Sequence, residues 1–227
     1  MKNLSICLSI FLYFAFASCP VRGQAADEAE KEFLAAKVKA EAGDAAFQFQ
    51  VGNFYARGAG VAKNDTEAAK WFRKAADQDD PRGQSMLGVM YTNARGVERD
   101  YKEAMKWFNK AAAQNSAHAK YNLGHMYSTG KGVTRDDTES AGWYRKAAEQ
   151  NDAGSQRILG SLYATGKGVP KDLVAAHAWT KVAGAKGDEA SKKQIAKFEE
   201  QMTPEQIAAA MKLAAEIAER IAKAKGK

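Results

Sequence analysis

Written in rows of 36 residues, the chain repeats itself four times. Gly52, Gly88, Gly124 and Gly160 share a column, as do Tyr55, Tyr91, Tyr127 and Tyr163. Gly60, Gly96, Gly132 and Gly168 share another, each followed by a valine: Val61, Val97, Val133 and Val169. Trp71, Trp107, Trp143 and Trp179 are all the tryptophans in the protein, and they too fall in register. Ala75, Ala111, Ala147 and Ala183 complete the pattern. A period this strict marks an array of small units. Each unit buries its apolar face on the next, because none can bury it alone.

Each row reads as two helices. Leu123, Met126 and Tyr127 lie at i, i+3 and i+4, one apolar stripe of a first helix. Gly124 on that helix carries no side chain, so a neighbouring helix can approach; its cost of roughly 1 kcal/mol against alanine implies that packing compensates. The second helix opens at Asp136, which with Glu139 fits a capping box, as do Asp100 with Glu103 and Asn64 with Glu67. In row four Asp172 faces Ala175 and lacks that reciprocal partner. The second helix of row three is expected to bury Trp143, Tyr144, Ala147 and Ala148.

The run Gly130-Lys131-Gly132 raises the possibility of a phosphate-binding loop. That motif needs a preceding strand and a Lys-Ser/Thr pair opening the next helix. Here Lys131 follows a helix and precedes the next by several residues, and the same slot holds Ala59 and Arg95 in rows one and two. The glycines instead supply positive φ for a turn.

Rows of the form A-x-x-x-L-G-x-x-Y-x-x-G-x-G-V-x-x-D, then A-x-x-W-[FY]-x-x-A-A, resemble Sel1-like repeats, relatives of the tetratricopeptide repeat. The resemblance covers residues 45–80, 81–116, 117–152 and 153–188. Ala94, Asn64 and Gly184 depart from it. It implies an all-α fold, a right-handed α-solenoid superhelix of antiparallel helix pairs. Residues 26–44 are expected to form an N-terminal capping helix and 189–227 C-terminal capping helices. In the latter, Thr203, Pro204 and Gln206 open a final helix, and Ile207, Ala210, Met211, Ala214, Ile217, Ala218 and Ile221 form its apolar stripe.

Residues 1–25 read as a secretory signal peptide: Lys2, a short apolar run, then small residues with cleavage after Gly23 or Ala25. The net charge of +7 falls to +5 without Lys2 and Arg22, mildly basic rather than the charge of a nucleic-acid binder. Both cysteines, Cys7 and Cys19, lie in this leader, so the mature chain holds its helices by packing alone. An alternative is a lipoprotein signal with the lipid on Cys19, although Phe16 and Pro20 fit it poorly. Membrane contact is otherwise at most peripheral, and the expected location is periplasmic or secreted.

In the related tetratricopeptide domains, first-helix residues line a concave groove that grips proteins. Counting from the aligned glycine places Phe49 and Asn53, Arg82, Ser85 and Val89, His118, Tyr121 and His125, and Arg157 and Ser161 there. These positions vary while the packing grid does not. Arg82 and Arg157 suit bidentate carboxylate contacts, Phe49 and Tyr121 aromatic anchoring. His118 and His125 lie two turns apart, too far to chelate one ion, so no metal or cofactor is expected; a pH-sensitive contact remains open. The expected partner is a protein or peptide, not nucleic acid. Lys63, Arg99, Arg135 and Lys171 align, as do Arg95, Lys131 and Lys167, forming a basic ridge that suits an acidic or anionic surface.

The resemblance also brings in an enzyme alternative, because some disulfide-rich relatives of this repeat bind or slowly hydrolyse β-lactams. Ser128 and Lys131 match S-x-x-K formally. Such a nucleophile needs its lysine one turn away on the same helix, whereas Lys131 lies in the glycine loop and no K-T-G run supports it. No catalysis is expected.

Overall fold

The computed structural model describes residues 21–185 and 189–225. Eleven helices follow one another among them, with no strand. They are α1 Val21–Glu41, α2 Ala45–Arg57, α3 Asp65–Asp77, α4 Pro81–Asn93, α5 Tyr101–Ala113 and α6 Ala117–Thr129. Then come α7 Asp137–Ala148, α8 Ala153–Thr165, α9 Leu173–Ala183, α10 Glu189–Glu199 and α11 Pro204–Lys225. Four rows of two helices each, α2–α3 to α8–α9, stack as a right-handed α-solenoid. The expected leader, up to residue 20, and Cys19 with it, lies outside the described residues. Helix α1 begins at Val21, earlier than the expected cap, and its buried contacts start at Phe33.

The aligned glycines make the helix pairs possible. A Cβ on Gly52 would stand 2.6 Å from the ring of Phe72, and one on Gly124 3.0 Å from the ring of Tyr144. In rows one to three the aromatic after the tryptophan therefore lies against its own row's first helix, and in row four Thr180 takes that place against Gly160. The tryptophan itself reaches back to the row before: Trp107 packs with Ala68, Phe72 and Leu87, and Trp71 with Phe33, Ala36 and Ala40 of α1. Trp71, Trp107 and Trp179 are buried as expected. Trp143 is only half-buried; in row three Tyr144 takes the buried place and Trp143 carries Lys146 over its outer face.

The helix starts differ from the capping boxes expected. Asn64, Asp100 and Asp136 do accept from the amides of Glu67, Glu103 and Glu139. The reciprocal arm is replaced, because each cap's own amide donates to a tyrosine carbonyl of the preceding helix, Asn64 to Tyr55 and Asp136 to Tyr127. Asp172 does the same to Tyr163, so row four loses nothing by having Ala175. Glu67 and Glu103, freed of capping, pair with Lys70 and Lys106. Among the described residues the full box forms only at α11, where Thr203 and Gln206 exchange hydrogen bonds.

The loops turn where expected. Gly58, Gly130 and Gly166 adopt left-handed φ at the first-helix ends, and Ala94 does so without the freedom of glycine. The second loop glycine is needed for contact as well as conformation: a Cβ on Gly168 would stand 1.9 Å from the carbonyl oxygen of Asp137, in the preceding row. Gly96 and Gly132 meet Asp65 and Tyr101 likewise, so the loops of rows two to four are wedged onto the start of the preceding second helix, whereas Gly60 meets Ala29 within α1.

A column the sequence reading did not single out ties the rows together. Gln48, Gln84, Lys120 and Gln156 are buried. Gln84 donates to Ala76 O and to Asp79 Oδ1, and Gln156 to Ala148 O and Asn151 Oδ1. Gln78 and Gln114 donate in turn to Gln48 and Gln84. Lys120 bonds Asn115 but has no acceptor for the Gln150 amide, which donates to the Asn115 carbonyl instead, and Gln150 Oε1 is left without a donor among the described residues.

The ends are closed differently. Helix α11 lies across α9, packing Ala214, Ile217 and Ile221 on Ala178 and Trp179. Met211 and Ala218, expected in that stripe, face outward instead. Helix α10 is held by Phe198 and by His177, which bonds Glu199 at 2.9 Å.

Candidate partner-binding surface

The four first helices carry the candidate residues, and the stacking brings them into register. Arg82 lies over the Phe49 ring of the row before, 4.9 Å from its centroid. A Cβ on Gly154 would sit 3.5 Å from Tyr121. At these two junctions the position six before the aligned glycine meets the position three before the glycine of the preceding row. Tyr121 also packs edge-on against Tyr144, whose hydroxyl burial pushes up to about 12. Phe49, Asn53, Val89, Tyr121 and His125 are half-buried, with Asn53 bonded to the Phe49 carbonyl. His118, Arg157 and Ser161 are exposed.

Two candidates change character. Ser85 is only 2% exposed and shares a hydrogen bond with Ser116, so it belongs to the seam between rows, not to an open surface. The Arg82 guanidinium, expected to be available for a partner's carboxylate, already holds Asp80 through two bonds of 3.1 and 2.6 Å. Burial opposes the Asp80 charge, yet the Arg82 side chain and the amides of Gly83 and Arg82 outweigh it and hold the carboxyl below its usual range. Arg157 has no such partner among the described residues. Both histidines are less basic than usual: the protein around the still exposed His118 displaces part of the water from its ring, partly opposed by Asp152, and burial and then Lys131 act on His125. They favour the neutral form that accepts as well as donates.

A family model decides what kind of array this is: the Sel1 repeat matches residues 45–80, 81–116, 117–152 and 153–188. The chain belongs to the Sel1 repeat family. Among solved structures it is similar to c5321, a protective antigen present in uropathogenic Escherichia coli strains displaying an SLR fold, at 36% identity and a TM-score of 0.78, over 84% of this chain and 41% of that one. It is similar also to a Sel1 repeat protein from Oxalobacter formigenes, at 33% identity and a TM-score of 0.66, over 74% and 49%. The immunity protein Pa5087 from Pseudomonas aeruginosa shares the fold at 20% identity and a TM-score of 0.51, over 85% and 82%. The chain thus spans less than half the length of the first two. No curated protein matches it. Sel1 repeat proteins are generally protein-interaction scaffolds and typically not catalysts.

Within this Sel1 repeat array the remaining candidates separate. Ser128 Oγ donates to the His125 carbonyl, while the Lys131 ammonium lies over the Tyr101 ring, 5.9 Å from its centroid. The formal S-x-x-K pair is therefore split between a helix end and a loop, each group engaged elsewhere. The basic ridge is broken by internal ion pairs. Arg95 forks onto Asp65 of the preceding row, Lys167 reaches Asp137 at 3.6 Å, and Arg135 holds the same Asp137. Arg99 stands over Tyr101. Among the described residues Lys63 and Lys171 form no ion pair, although Lys63 lies near enough to Asp65 to help lower its pKa.

Proposed function

We propose that this Sel1 repeat protein is a non-catalytic adaptor of the periplasm or the secreted fraction, gripping a protein or peptide along the face built by α2, α4, α6 and α8. One observation carries the reading: positions that differ from row to row meet across two row junctions, Phe49 with Arg82 and Tyr121 with Gly154, while the glycines, tyrosines and tryptophans of the repeat do not vary. Packing fixes the scaffold and leaves His118, Arg157 and Ser161 exposed for a partner, beside the outer edges of the half-buried Phe49, Asn53, Val89, Tyr121 and His125. The Phe49–Arg82 stack and the Tyr121–Gly154 contact supply rigid aromatic surface, the kind that dominates interface energetics. Arg157 is the free guanidinium for an acidic side chain or a terminal carboxylate. The apolar leader of residues 1–25 supports export. The mass of the mature protein tests it: cleavage after Gly23 or Ala25 fits, and a chain retaining residue 1 does not.

A partner recovered from envelope extract by the wild type tests the surface. Recovery drops when Phe49, Tyr121 and Arg157 are replaced by alanine together; equal recovery removes this face from consideration. An anionic-surface reading has less support, since three of the seven ridge cations are paired within the molecule. Salt-sensitive binding to anionic vesicles would restore it.

A further inference from the structure

The outer face of α1 breaks the rule the repeats obey. Rows one and two carry lysine at two outward positions of the second helix, Lys70 with Lys74 and Lys106 with Lys110. Row four has aliphatic residues there, Ala178 and Val182, and α11 covers both. The equivalent residues on α1 are Leu34 and Val38, also aliphatic, yet they are 51% and 68% exposed. Elsewhere the chain gives up both lysines only where another helix lies on top. A large exposed aliphatic pair at a position of this kind marks a contact surface.

The neighbouring charges identify what covers it. Asp27, Lys31, Leu34, Val38 and Glu41 follow one another at spacings of four, three, four and three along the exposed side, the seam of a helix that pairs with another. Lys31 and Glu41 lie symmetrically about the Leu34–Val38 pair. Lys31 is 75% exposed with only a loose 3.9 Å contact to Glu28, and Glu41 is 57% exposed and 3.8 Å from Lys37. When two copies of this face meet antiparallel, Leu34 falls on Val38 of the partner subunit. Lys31 then falls on Glu41 of the partner subunit, and by symmetry Glu41 falls on the partner's Lys31. We propose that α1 is a homodimerisation surface, two chains joining through their N-terminal caps about a two-fold axis. The face is self-complementary in both charge and apolar surface, as an isologous contact requires. One helix face is a small interface, so the dimer is weak and concentration-dependent. The ends capped by α11 then lie away from the contact, and each solenoid keeps its first-helix face clear for a ligand.

Sedimentation equilibrium of the exported protein, from micromolar to millimolar concentration, tests this. The wild type shifts toward twice the monomer mass. Leu34→Lys with Val38→Lys installs the residues of rows one and two, keeps the helical circular dichroism, and leaves a monomer. Lys31→Glu alone weakens dimerisation at least tenfold by setting like charges together twice, and adding Glu41→Lys restores it. A wild type that stays monomeric throughout overturns the proposal. So does a dimer indifferent to the α1 variants, or a single charge reversal that the second does not rescue. Slow labelling of a cysteine placed at Leu34 in a monomeric protein would mean that another segment or partner covers the face, and would also overturn it.

Discussion

A Cβ placed on Gly88 would stand 2.6 Å from Cε1 of Phe108, and the same relation holds between Gly52 and Phe72. The ring lies where any other residue's side chain would begin, so the close approach of α4 and α5 depends on one missing methyl group. Gly88→Ala is predicted to destabilise the fold by about 1–3 kcal/mol, the cost of overpacking a filled site. Phe108→Leu in the same chain recovers part of that loss. Chemical denaturation of the two single variants and the double measures the coupling; strict additivity would contradict the packing relation.

Ala94 occupies a left-handed turn at φ 54° that glycine holds in the other three rows. An L-residue with a Cβ is strained there by roughly 1–2 kcal/mol, and glycine costs about 0.4–1 kcal/mol in unfolded-state entropy. Ala94→Gly is expected to raise stability by a net gain of up to about 1 kcal/mol, read as a higher denaturation midpoint with unchanged slope.

Lys120 interrupts the buried glutamine column. Burial, with the nearby Lys146, lowers its pKa against the pull of Glu149, and Gln150 Oε1 stays unpartnered. Lys120→Gln removes that charge, offers the Gln150 amide the acceptor that Gln48 and Gln84 offer to Gln78 and Gln114, and still reaches the Asn115 side chain. It is predicted to stabilise by about 1 kcal/mol. Lys120→Met, which fills the space without the bonds, is not expected to match it.

Acid acts on two groups in different windows. His118 and His125 have native values below the usual 6.5, so protonation is harder in the folded chain. Stability is level above that value and falls as pH drops through it into the lower native range. The Asp80 carboxylate, held below 3.8, adds a second loss in stronger acid as it protonates. Thermal melting from pH 8 to pH 3 should show both steps. His118→Gln with His125→Gln should remove the first and leave the second.

Much of this was legible in the sequence because the period repeats four times. Gly52, Trp71 and Val61 each return with the same physical task, and the helix pairs, the turns and the cap helix at Thr203 follow. What stayed hidden depends on which neighbour a residue meets. Asn64 and Glu67 have the letters of a capping box, but the Tyr55 carbonyl from another helix takes the cap amide first. Arg82 reads as an open guanidinium until Asp80, two residues earlier, proves to hold it. Trp143 shares its column with three buried indoles, yet it is only half-buried, beside the buried Tyr144. Gln48, Gln84 and Gln156 were visible as a polar column at the same period, with Lys120 as the odd member; buried glutamines that recur every row are the sign that joints are hydrogen-bonded. Leu34 and Val38 needed the comparison with Lys70 and Lys74, and α11 on Ala178, before their exposure meant anything.

The claim that first-helix residues form the binding surface is tested most directly by photo-crosslinking in living cells. A photoreactive residue is placed singly at His118, Arg157 and Ser161, and for comparison at the outward Lys110 and Lys146. The first three positions should trap the same partner protein, and the outer two should not. A partner trapped from Lys110 and Lys146 but from none of the first-helix positions would contradict the account.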